Sequence, residues 1–311
     1  MGLLAAALTA LFPLDVFHAT ELHTDVLMTA AFAGAFWLVL LDRPWASLAA
    51  GMAAGYGQLS KEAGFFIILA LAGWLLFQRD RRPGRLLILV GFAIVLGVET
   101  SVLWIKTGDP FFKYRAAGAV QSHIFESEFF PDAGSKVRRL FWDLPSTLFN
   151  PLDTQFKLIG LSGYAVLAGA AFALKRKLPG AAGIAVMTLV MVAAINFWPV
   201  RIVPYVPAFV LFPRVLAPLF VPGFLLVALA GSALWESRRR AALVAGGLLL
   251  VGQLFWIQVN HSRAAVYREH SERAFEFLKA APRAPVFTDR FTVAKMEVFD
   301  GYRKSLDLRD F

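Results

Sequence analysis

Residues 86–105, LLILVGFAIVLGVETSVLWI, run for 20 positions with one ionisable group, Glu99. At a rise of about 1.5 Å per residue such a helix reaches about 30 Å, the depth of a bilayer's hydrocarbon core. Lipid offers no partner for backbone polar groups, so a spanning stretch of this kind folds as an α-helix. Further apolar runs lie at 26–41, 45–59, 64–77, 156–174, 179–197, 214–235 and 241–259, and the shorter ones need neighbours or local thinning to cross. The opening run, 1–11, is too short to span and reads as the tail end of a helix. The expected fold is therefore an all-α polytopic membrane protein of about eight transmembrane helices plus a short N-terminal partial helix. A hydrophobic fraction of 58% and a mean hydropathy of +0.61 exclude an ordinary soluble domain. The absence of cysteine excludes disulfides and thiolate metal sites.

The net charge of +9 does not point to nucleic acid, because the basic residues gather in short connections between apolar runs. Arg43, the cluster Arg79, Arg81, Arg82 and Arg85, the run from Lys175 to Lys177 and the run from Arg238 to Arg240 all fall on one side when the runs alternate across a bilayer. Excess Lys and Arg marks the cytoplasmic side. The other face then receives the polar insert 12–25, Lys61 and Glu62, a long loop at 106–155, the proline-rich stretch 199–213 and the C-terminus. This is the topology expected of a multi-pass protein of a cell membrane, a bacterial inner membrane in particular. Trp45, Trp104, Trp198 and Trp235 sit near expected helix ends, as interfacial anchors do.

Two domains are expected, a transmembrane core over 1–259 and an extracytoplasmic tail over 260–311. In the tail, 262–280 reads as an amphipathic helix, 285–288 as a strand, 293–299 as a helix and 305–308 as a second strand. Two strands do not make an independent domain, so the tail is expected to begin a small α/β outer domain that this chain does not complete.

Chemistry concentrates on the outer face. The insert FPLDVFHATELHTD holds Asp15, His18, Glu21, His23 and Asp25. Asp25 opens a helix, where the macrodipole favours an anion, and either caps it or serves as a functional carboxylate. His18, Glu21 and His23, with Asp15, admit a divalent metal, but their spacing matches no compact ligand motif. Lys61 and Glu62 either satisfy each other or place Lys61 in a wet cavity to hold an anion. Gly51 and Gly55 in the preceding helix read as a close-packing face. Glu99 needs a partner at membrane depth, and Lys106, seven residues on, shares its helical face. The stretch RIVPYVPAFVLFPRVLAP, 201–218, carries four prolines, which no regular helix holds at that density. An irregular segment here would line protein or a wet cavity, with Arg214 opening the next helix either as a phosphate ligand or snorkelling to the interface.

These pieces in this order resemble the polyprenyl-phosphate-sugar-dependent membrane glycosyltransferases of the GT-C type, the group of protein O-mannosyltransferases, aminoarabinose transferases and rhizobial lipopolysaccharide galacturonosyltransferases. The residues that carry the likeness are Pro13 to Asp25, the helix end GMAAGYGQLSK, the turn Thr107, Gly108, Asp109, Pro110, and the segment from Arg214 to Pro218. The likeness covers about 11–230. It implies inverting transfer of a sugar from a polyprenyl-phosphate carrier, at the outer membrane face, to a lipid or glycan acceptor. By resemblance, Lys61 and Arg214 would hold the phosphate, with Glu62, Arg201 and Glu21 as further substrate-binding positions, and Asp25 would line the cavity without being the base. The family's general base lies on a first outer loop upstream of the matched region, so the chain is expected to be an N-terminally truncated transferase, with no certain cofactor. A transporter and a non-catalytic lipid-carrier-binding protein are the competing readings; a transporter should show matching halves with paired helix breaks, and only one break is visible.

Overall fold

The computed structural model describes residues 2–13, 24–61, 64–76, 83–116, 118, 129–153, 156–203, 205–208, 213–280, 286–288 and 308–310. Asp25 and Arg214 are placed by their backbone alone. Two units are distinguished, Met1–Ile257 and Gln258–Phe311.

In the first unit, α1 (Gly2–Ala10) precedes α2 (Thr24–Leu40), α3 (Pro44–Ser60), α4 (Phe65–Leu76) and α5 (Leu87–Thr107). Proline at the first position of α3 is where a helix loses nothing by lacking an amide. A three-residue connection makes α2 and α3 antiparallel neighbours, with Gly57 of α3 against Met28 and Ala31 of α2. Helix α5 lies parallel to α3, because Gly51 meets Ile88 and Phe92 while Gly55 meets Val95. Short elements follow: α6 (Ala133–Arg138), a π-helical turn (Arg139–Asp143), α7 (Leu144–Phe149) and α8 (Phe156–Ile159). Then come α9 (Ser162–Lys175), α10 (Ala181–Phe197), the antiparallel strands β1 (Pro199–Arg201) and β2 (Val206–Pro207), and α11 (Pro213–Ser237). Helix α12 (Arg239–Ala280) begins in this unit and runs on past Ile257 into the second.

The apolar centre forms where α2, α4, α10 and α11 meet, around Phe32, Leu71, Met187, Leu216 and Phe224. Phe12 joins it at 4.5 Å from the Phe220 ring. Helix α5 enters it through Ile88 and Phe92 near its start, yet the apolar windows of α5 and α12 are only 17% and 6% buried, against 67% for that of α11. Exposed apolar surface of this extent suits lipid and not water.

Three helices among the described residues are long and apolar enough to cross a membrane, Gly84–Thr107, Val215–Ser237 and Arg239–Ser262. The protein is mostly helical and a membrane protein by this measure. The expected eight spans are not recovered at full length: Leu27–Leu40, Phe65–Leu76, Ser162–Lys175 and Ala181–Phe197 are apolar but shorter. The run expected at 156–174 breaks at Gly160, which adopts a left-handed conformation, into α8 and α9. The last span expected at 241–259 and the helix expected at 262–280 are joined as one helix, α12, since 253–280 contains neither glycine nor proline. The described part of the proline-rich stretch before Pro213 is not helical: β1 and β2 pair with an irregular register, Ala208 N–H donating to Trp198 C=O at 2.8 Å, and residues 204 and 209–212 lie outside the described residues. Pro218, counted with that break, sits inside α11 together with Pro222.

In the second unit, β3 (Val286–Thr288) pairs in parallel with β4 (Leu308–Asp310). No larger α/β domain is seen among the described residues, and the helix expected at 293–299 lies outside them.

Candidate functional site

Helix polarity brings several of the sequence-marked positions to one end of the first unit. Asp25 lies one turn before Met28, and Lys61 one turn after Gly57, so the antiparallel pair α2 and α3 delivers both to the same end. The start of α4 meets the end of α10 there, with the Phe66 and Trp198 rings 5.5 Å apart. The hairpin carrying Arg201 follows, and α11 starts from that end with Arg214 as its second residue. The opposite end holds the short basic connections, where Arg85 pairs with Asp42 at 3.0 Å and Arg239 lies over the Trp235 ring at 4.6 Å. Trp104 and Trp198 are exposed near one end and Trp45 and Trp235 near the other, two belts of the kind found at membrane interfaces.

Lys61 ends α3, its amide donating to the Gly57 carbonyl at 3.0 Å and its own carbonyl accepting from Gly64 at 2.8 Å. Glu21, His18, His23, Asp15 and Glu62 lie outside the described residues. Among the described residues no three His, Cys, Asp or Glu side chains gather as a metal site.

Beside Lys61 stands a polar cluster that the sequence did not announce. Gly108, at φ 72°, ends α5 with a left-handed cap, its amide donating to the Trp104 carbonyl. The Asp109 carboxylate then accepts from the Phe111 amide at 2.9 Å and pairs with Arg115, which holds its pKa below the ordinary carboxylate value. This turn throws residues 112–116 back over the ends of α3 and α5. Lys113 donates to Glu99 at 3.0 Å and to the Gln58 carbonyl at 3.3 Å, one of the carbonyls a helix end leaves unpaired. Tyr114 donates to the other Glu99 oxygen at 2.8 Å and accepts from the Gln58 amide at 2.7 Å. Glu99 therefore takes Lys113 and Tyr114 as partners, not Lys106. The Gln58 carbonyl oxygen, Oε1, is buried without a partner. The signals were present: Gln58 continues the buried face of Gly51 and Ala54, and a Gly-Asp turn predicts reversal of the chain.

A second cluster secures the same end. Arg139, 1% exposed, lies on the π-helical turn and donates to Asn196 Oδ1 at 2.7 Å and the Ile195 carbonyl at 3.1 Å, near the C-terminus of α10. Asn196 returns a bond to the Leu140 carbonyl at 2.7 Å. Burial lowers the Arg139 pKa to about 10, while Asp143 and Tyr205 oppose that shift, so the guanidinium stays charged at neutral pH.

The chain matches no protein-family model, no curated protein and no solved structure.

The Glu99 side chain is 8% exposed and that of Lys113 25%, so neither charge is fully screened by water. Glu99→Gln keeps the shape and leaves Lys113 short of its counter-charge; thermal unfolding in detergent is expected to show a loss of about 2 kcal/mol. Adding Lys113→Met should recover part of that loss, and additive losses would mean that the two residues do not act as a pair.

Proposed function

We propose that this chain is the membrane-embedded part of a GT-C type glycosyltransferase, which moves a sugar from a polyprenyl-phosphate carrier to a cell-envelope acceptor. The observation that supports the reading is that the α2 start, the α3 end and the α11 start lie at one end of the helices, opposite the short basic connections. Putting those connections in the cytoplasm of a cell membrane, as their Lys and Arg excess requires, turns the Lys61 end outward and places the tail after residue 260 outside.

In this reading Lys61 and Arg214 hold the carrier phosphate, the latter from the first turn of α11, where free amides also favour an anion. Arg201 on the hairpin, with Glu21 and Glu62, completes the donor site, and Asp25 lines the cavity. Stabilising the departing phosphate by fixed cations lowers the barrier to transfer. Taking the acceptor proton needs a carboxylate. Glu99 is unsuited to that task, because both of its oxygens are committed to Lys113 and Tyr114. The chain by itself is thus assigned carrier binding, with no base named among its described residues.

The test is binding of a polyprenyl-phosphate sugar to the purified chain in detergent. Lys61→Ala and Arg214→Ala are each expected to weaken it at least about tenfold, the loss of one charge-assisted phosphate contact. Unchanged affinity in both variants would reject the phosphate assignment. Energised uptake of a solute by proteoliposomes, with no carrier binding, would favour the transporter instead.

A further inference from the structure

A groove of about 400 Å³ runs between α3 and α5, lined by Met52, Leu59, Ile94, Val98, Val102 and Leu103. Its walls are apolar except for Glu99, whose charge is met by Lys113. The groove opens onto the lipid-facing side of α5, the 17% buried span. From residue 94 to residue 103 it extends about 14 Å, close to half of a hydrocarbon core about 30 Å deep, which is one leaflet. Above its upper end stands Lys106, on the face shared by Glu99, Val102 and Leu103 because these positions recur at helical spacing. Lys106 is exposed and makes no ion pair among the described residues.

From this we infer that the α3–α5 groove seats one anionic phospholipid of the bilayer, its acyl chain along 94–103 and its phosphate at Lys106. Length and charge agree on that occupant. A single leaflet-deep slot fits an acyl chain, whereas a polyprenyl chain is longer than a leaflet is deep. The unpaired lysine stands at the level where lipid phosphates lie and supplies the complementary charge. Glu99 does not oppose the head group, being neutralised from the side of the 112–116 turn. The residue assigned here, Lys106, is not one of those assigned to the donor phosphate, Lys61 and Arg214, so the two readings are tested by different variants.

The experiment is native mass spectrometry of the full chain, delipidated and then offered phosphatidylglycerol, phosphatidylethanolamine and polyprenyl phosphate at equal concentrations. The wild type should retain phosphatidylglycerol about fivefold over phosphatidylethanolamine, the preference one near-surface lysine confers. Lys106→Glu should abolish the preference while keeping a bound chain. Val98→Trp, at a position 60% exposed, should fill the slot and reduce retention of both phospholipids, with Ile94→Trp as a second filling variant should Val98→Trp melt early. Equal retention of the two phospholipids by the wild type, a preference unaltered by Lys106→Glu, or displacement of phosphatidylglycerol by polyprenyl phosphate would overturn the assignment.

Discussion

Replacing Gly51 by leucine is expected to destroy the folded protein. A Cβ at that position would land on the backbone carbonyl oxygen of Ile88 and crowd the Phe92 amide at 2.8 Å, so no rotamer choice relieves it. Gly91 is its counterpart on α5, where a Cβ would land on the Leu48 carbonyl oxygen. Two backbones touch here, and helices in lipid gain most of their association from such close approach. Forcing them apart should cost more than about 3 kcal/mol, beyond the usual range for overpacking because backbone cannot yield as a side chain does. Size-exclusion chromatography and thermal melting in detergent read the result, and Gly91→Leu should behave alike. Gly97→Ala is the control, for a Cβ there meets nothing within 4 Å. It should melt no lower than the wild type, since alanine is the better helix former by about 1 kcal/mol. A well-folded Gly51→Leu protein would mean that α3 and α5 do not pack along this seam. It would also remove the groove between them.

The second large effect is expected at Arg139. Its guanidinium is 1% exposed and bonds Asn196 and the Ile195 carbonyl, so truncation to alanine strands a buried amide and a helix-terminal carbonyl and opens a side-chain-sized void. Losses of this kind reach about 3–5 kcal/mol when a buried charge network is broken on one side. Arg139→Lys should recover only part, because an ammonium cannot present the planar fork that reaches both oxygens. Asn196→Leu should also destabilise, since Asn196 satisfies the Leu140 carbonyl on the widened turn. Chemical denaturation of the three variants in detergent measures the series. Stability of Arg139→Ala equal to wild type would show that the 139–143 turn is not docked on α10. Because the pKa of Arg139 is lowered only to about 10, these losses should not vary between pH 6 and pH 8.

Much of the helical pattern was legible because lipid makes helix formation nearly compulsory for an apolar run. The expected runs 45–59 and 64–77 return as Pro44–Ser60 and Phe65–Leu76, displaced by a residue at their ends. Gly51 and Gly55 were read as a packing face, and the close approach of α5 at both bears that out. The number of full-length spans was not legible. Gly160 divides one run through a backbone conformation that composition does not reveal, and several other helices stop short of a bilayer's depth. The pairing of Glu99 was misread for a related reason: Lys106 is its neighbour along the helix, but Lys113 reaches it only because the chain reverses at Gly108 and Asp109.

What the amino-acid order determined alone is a many-helix membrane protein with basic short connections, for the bilayer tests each segment separately by its own length and polarity. Which helices touch, which carboxylate meets which lysine, and the bonding of Arg139 to the end of α10 were decided only by tertiary structure. The Glu99–Lys113 and Arg139–Asn196 contacts join residues 14 and 57 positions apart, and their energy depends on a mutual orientation that no local stretch encodes.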